Sequence, residues 1–143
     1  MARPFADHNG SLGRTLIVED DGLIALDLAE ALTEAGAEKV AICPSVAAAL
    51  GELERLKPDV LVLDVHLADR DDGWTLAELV SQLSARPPLI VFSTGAPDSI
   101  PAAIAGMGHV LVKPFPPEDL VRLVRAHRQR PGLIARLRGA LSI

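Results

Sequence analysis

The chain has 143 residues, 49% of them apolar, and a net charge of −5, which predicts one globular domain with a core of its own. A polar, turn-rich start argues against a signal peptide, no apolar run approaches the roughly 18 residues that span a bilayer, and the mildly acidic balance argues against generic nucleic-acid binding. A single cysteine, Cys43, excludes an internal disulfide framework and makes a reducing, cytoplasmic setting the expectation.

In chain order, residues 1–13 read as a flexible arm. A first strand at 15–18 runs into Glu19-Asp20. Ile24, Leu28, Ala31, Leu32 and Ala35 then recur at helical spacing until Gly36 ends the helix. A second strand at 39–42 precedes Cys43, which reads as a small core residue and not a nucleophile. Ser45 can cap a second helix running to Lys57, where Pro58 stops it. The third strand, Val60-Leu61-Val62-Leu63, runs straight into Asp64.

Beyond it, 69–73 reads as a solvated turn and Trp74 as a packing residue at the start of a third helix over 75–84, closed by Pro87-Pro88. A fourth strand at 89–93 reaches Thr94. The next crossover, 99–106, carries Pro101 near its start and Gly106 and Gly108 behind it, which predicts a short or mobile helix. A fifth strand at 110–112 reaches Lys113. A last helix, marked by Leu120, Leu123, Val124 and His127, is entered through Pro116-Pro117-Glu118.

Residues 129–143 form a basic amphipathic tail. After Asp119 there is no acid, whereas Arg122, Arg125, Arg128, Arg130, Arg136 and Arg138 follow. A solvated helix face with a basic tail is the favoured reading of that charge, ahead of a partner-docking surface and a nucleic-acid arm.

Strands without polar alternation, each followed by a helical stretch, make five βα units. The fold class is therefore α/β: a single doubly wound domain on a parallel five-stranded sheet. In such a fold all strands point one way, so Glu19, Asp20, Asp64, Thr94 and Lys113 converge on one sheet edge. Three carboxylates there repel one another unless a cation compensates, and a hard divalent ion is the economical answer. A hydroxyl and an ammonium opposite that ion suit a phosphoryl group, with Asp64 as the nucleophile.

At this point the sequence resembles the receiver domain of two-component response regulators. The resemblance rests on Leu16-Ile17-Val18-Glu19-Asp20-Asp21, Val60-Leu61-Val62-Leu63-Asp64, Asp72-Gly73, Ser93-Thr94-Gly95 and Val112-Lys113-Pro114-Phe115, and spans about 14–128. It implies a CheY-like, flavodoxin-like (βα)5 fold with strand order 2-1-3-4-5. It also implies that Asp64 accepts a phosphoryl group from a sensor histidine kinase or phosphotransfer protein. Mg²⁺, or Mn²⁺ in its place, would be bound by Asp20, Asp64 and the backbone carbonyl of His66, with Glu19 helping through water. Thr94 and Lys113 would contact phosphoryl oxygens, and the Lys113-Pro114 bond would be cis.

Two positions depart from the family's pattern. An aromatic residue usually stands three places before the lysine, and here that residue is Val110. The run Phe92-Ser93-Thr94-Gly95-Ala96-Pro97 is similar to the FATGUY subgroup of receivers, which also lacks that aromatic, although Pro97 replaces its final one. The His66 side chain is expected to face solvent. A dehalogenase-type phosphatase would need an aspartate where His66 stands, and a flavodoxin would not place Glu19-Asp20-Asp21 against a phosphate. The expected role is thus a phosphoacceptor signalling domain and not a conventional enzyme. It would act through an unknown downstream protein as a stand-alone receiver. The alternative is a receiver belonging to a longer regulator with a DNA-binding or enzymatic output.

Overall fold

The apolar runs that lack alternation are the strands at the centre of the sheet. The computed structural model describes residues 11–68, 71–82 and 86–129. Its strands are β1 (Arg14–Val18), β2 (Lys39–Cys43), β3 (Val60–Asp64), β4 (Leu89–Thr94) and β5 (His109–Val112). All pair in parallel, in the order β2-β1-β3-β4-β5. The expected doubly wound fold and strand order are therefore observed.

Helices cover both faces, which is why β3 and β4 are buried at every position. On one face Leu16, Val18, Leu61, Leu63, Ile90 and Phe92 meet α2 (Val46–Leu56) and α4 (Asp71–Gln82). On the other, Ile17, Val60, Val62, Leu89 and Val91 meet α1 (Gly22–Glu34) and α6 (Pro117–Gln129). The outer strands have one neighbour each and are less covered: Ile42 on β2 and Val112 on β5 stay exposed.

Local chemistry sets the helix ends. The Asp21 carboxylate accepts from the amides of Leu23 and Ile24, and the Ser45 hydroxyl accepts from Ala48 N at 3.1 Å. Lys57 closes α2 in the left-handed region at φ 48°. Pro117 opens α6, where its missing N–H costs no hydrogen bond. The fourth crossover is short, as expected: a 3₁₀ turn at Pro97–Ser99, then α5 at Ala102–Ala105.

One expectation needs correction, and two features go beyond the sequence. Residues 71–73 do not lie in a solvated turn but open α4. Gly73 is buried there, and a methyl group at its Cα would run into the backbone of Ala68, so the close approach requires glycine. A helical turn that periodicity did not reveal, α3 (Val65–Ala68), follows Asp64 directly; four residues are too few to show a period. Leu12, inside the expected arm, is buried in the core beside Ile17 and Leu28. The rest of the expected arm, 1–10, and the tail beyond Gln129 lie outside the described residues, as does Ser84. No helix among the described residues is long and apolar enough to cross a membrane.

Candidate functional site

Parallel strands bring the chemistry to one edge. Glu19-Asp20 leaves β1, Asp64 is the last residue of β3, Thr94 the last of β4, and Lys113 follows β5. The backbone fixes two of these exits: Glu19 N donates to Cys43 O at 3.0 Å, and Lys113 N donates to Thr94 O at 2.7 Å. The Lys113-Pro114 peptide is cis, as expected.

Glu19, Asp64 and Thr94 are buried, while Asp20 is exposed. Glu19, Asp20 and Asp64 each offer an oxygen within 4.8 Å of the others. Lys113 Nζ lies 2.9 Å from Glu19 Oε1 and 3.6 Å from Asp64 Oδ1. His66 N donates to Asp64 Oδ1 at 3.0 Å, so α3 holds the carboxylate in place. Thr94 Oγ1 accepts from Ala96 N at 2.9 Å, which leaves its own proton free to donate. The His66 side chain is exposed, as expected.

The electrostatics follow from burial and crowding. Burial, then the hydrogen bond shared with Asp64, pushes the Glu19 carboxyl up to about 7, although Lys113 pulls it the other way. Burial works to lower the Lys113 ammonium, but the Glu19 hydrogen bond and the charge of Asp64 outweigh it and raise its pKa. A donor set of three carboxylates in contact, with one lysine compensating, suits a hard oxygen-seeking cation. The chemistry of the residues fits Mg²⁺.

The sequence assigns Glu19 to a cation and Lys113 to a phosphoryl group; in the fold the two also pair with each other. Only the fold brings together residues 94 positions apart. The His66 amide belongs to α3, whose four residues are too few to show a period in the sequence. Val110 is half-buried and packs on the face formed by Leu63 and Phe92. Trp74 meets Phe92 edge to face, ring centres 6.2 Å apart, in the packing role expected of it. Cys43 is buried in the core, and burial raises its thiol pKa, with the charge of Glu52 adding to the shift.

A parallel five-stranded α/β fold in this order, with acids and a lysine gathered at the carboxyl ends of its strands, defines a receiver-type signalling domain. The model of the response regulator receiver domain matches residues 15–125, and the chain belongs to that family. It is 32% identical to the transcriptional regulatory protein PdtaR of Mycobacterium tuberculosis, over 99% of this chain and 70% of that protein. It is 31% identical to the sensory transduction protein LytT of Enterococcus faecalis, over 82% of this chain but 48% of that protein. Among solved structures, a putative response regulator from Chloroflexus aurantiacus is similar at 31% identity and a TM-score of 0.64, covering 82% of this chain and 98% of that one. A two-component response regulator from Clostridium difficile matches at 25% identity and a TM-score of 0.68, covering 82% and 97%.

Proposed function

We propose that Asp64 is the phosphoacceptor and that it takes its phosphoryl group from the phosphohistidine of a sensor kinase or phosphotransfer protein. The observation that carries this reading is Lys113 Nζ poised 3.6 Å from Asp64 Oδ1, beside a three-carboxylate cluster. Asp20, Asp64, the His66 carbonyl and Glu19, the last through water, would hold Mg²⁺ or Mn²⁺. When bound, the ion supplies positive charge to the carboxylates and to the transferring group.

The protein's own groups do the rest. Asp64 attacks phosphorus in line; the new O–P bond forms as the P–N bond to the donor imidazole breaks, and the imidazole nitrogen keeps the electron pair and takes up a proton. Lys113 leaves Glu19 to pair with a phosphoryl oxygen, and Thr94 donates its free proton to another. Dephosphorylation by water at the same centre returns Asp64 to its starting state. The phosphorylated aspartate draws Thr94 and the loop after it inward, and α5 with them. The receiver unit is 14–128, with Leu12 packed onto it. Output runs through contact with a downstream protein in the cytoplasm.

The test is phosphotransfer from a kinase or a small phosphodonor with Mg²⁺. Asp64→Asn should abolish labelling, and a label at the same site in that variant would sink the assignment. Because the chain spans about half of LytT, a second reading makes it the receiver of a longer regulator with an output domain. The length of the full gene separates the two.

A further inference from the structure

At the end of the sheet opposite Asp64, where β1, β3 and β4 begin, lies a cleft for which the phosphoryl chemistry has no use. One cavity of about 420 Å³ is lined by the cations Arg14, Lys57 and Arg86 and by the apolar side chains of Leu53 and Val80. A second, of about 340 Å³, shares Arg86 and Pro88 with it and adds Arg128. Among the described residues, these four cations line the two cavities together with one acid, Asp59. In a chain of net charge −5, such a concentration of positive charge needs a reason.

Asp59 is already occupied. Its Oδ2 accepts from Arg14 N at 2.9 Å and lies 3.9 Å from Arg14 Nε, while its Oδ1 lies 3.4 Å from the guanidinium of Arg128. One carboxylate thus orients two guanidinium groups and neutralises only one of them. Arg14 Nε is buried with no hydrogen-bond acceptor.

The surroundings are also stiff. Asp59 is tied to β1 through Asp59 N to Arg14 O at 2.7 Å and to β4 through Leu89 N to Asp59 O at 2.9 Å. Gly13, at φ +75°, admits the Asp59 carboxylate and the Arg128 guanidinium where any side chain would collide with them. Lys57 is fixed in the left-handed region, its N–H on Leu53 O at 3.0 Å, and Pro58, Pro87 and Pro88 add rigid walls.

These cations line a concave, partly apolar volume of the size that takes a small molecule. Guanidinium groups match the oxygens of phosphate, and several cations around one anionic group suit a dianion better than a monocarboxylate. The chain's own tail is a poor occupant, because Arg130, Arg136 and Arg138 come with no acid and would be repelled. We propose that this cleft binds a small phosphorylated organic ligand, its phosphate held by Arg14, Lys57 and Arg86 and its apolar body against Leu53 and Val80.

Amide NMR of the full chain tests this, with ADP as probe and pyrophosphate, adenosine and an oligoglutamate peptide as the other arms. No divalent ion is added, so that the carboxylate edge repels anions. ADP should give saturable shifts centred on Leu53, Lys57 and Val80, pyrophosphate should bind there at least tenfold more weakly, and adenosine should give none. Combining Lys57→Asn, which keeps a residue tolerant of the left-handed region, with Arg86→Gln should weaken ADP at least tenfold while Mg²⁺-dependent labelling of Asp64 is unchanged. The proposal is overturned by the absence of ADP shifts, by shifts centred on Asp64 or scattered over the surface, or by binding that survives both substitutions. Pyrophosphate binding as tightly as ADP would refute the role of the apolar body, and preferential binding of the peptide would make the cleft a protein-docking surface instead.

Discussion

At the residue scale, the informative pair is Glu19 with Lys113. A lysine shared between two buried carboxylates offsets part of the crowding at this edge before any cation arrives. Removing it should separate charge balance from signalling: Lys113→Ala should retain part of the phosphorylation seen with a small phosphodonor but lose the phosphorylation-dependent change in partner affinity. An unchanged response in that variant, measured by titration with the partner, would contradict the role given to Lys113. The Glu19 carboxyl predicts a pH effect. Its folded value of about 7 lies above the ordinary 4.5, so between these values the folded protein holds a proton that the unfolded chain has released. Stability therefore falls as pH rises through that window. Cation binding must displace the proton, so Mg²⁺ affinity should rise with pH up to about 7, by at most about tenfold per unit, and level off above. Calorimetric titration from about pH 5.5 to about pH 8.5 checks this, and Glu19→Gln should flatten the profile.

At the scale of elements, the sequence was legible where a pattern is long and illegible where it is short. The 13 residues of α1 show their period and their glycine stop, the 11 of α2 are marked by the Ser45 cap and Pro58, and the unalternating strands gave themselves away. The four residues of α3 could not. Nor could the start of α4, because charged residues beside a glycine look like a turn when the buried contact of Gly73 with Ala68 is not known. The site was legible as a set of strand ends, since parallel topology alone brings them together. The Glu19–Lys113 pairing was not, because it depends on side-chain reach past the two strands between them, β3 and β4. Gly73 provides the check on the corrected element. Gly73→Ala should destabilise the fold by about 1–3 kcal/mol, as overpacking of a buried contact does, although alanine is the better helix former. Urea denaturation measures it, and a neutral or stabilising outcome would mean that α4 does not approach Ala68 as described.

At the scale of the whole molecule, charge is sorted to the two ends of one sheet, acids where the strands finish and cations where three of them begin. The acidic end is held together against its own repulsion, and that repulsion has a thermodynamic signature. Asp20 is exposed, and its carboxylate lies in the cluster with Glu19 and Asp64, so Asp20→Asn removes a charge without emptying a packed site. With one charge fewer the metal-free protein should melt at a higher temperature than the wild type. Cation binding works in the opposite sense. An ion that binds only the folded state adds about 2.7 kcal/mol at a hundred times its Kd, so saturating Mg²⁺ should raise the wild-type melting temperature and do much less for the variant, which lacks one donor. Thermal melts of both proteins with and without Mg²⁺ therefore predict a crossing: the variant more stable without the ion, the wild type more stable with it. Equal melting temperatures without the ion would show that Asp20 does not repel its neighbours, and equal rises with it would show that Asp20 does not bind the ion, leaving Glu19 and Asp64 to hold it.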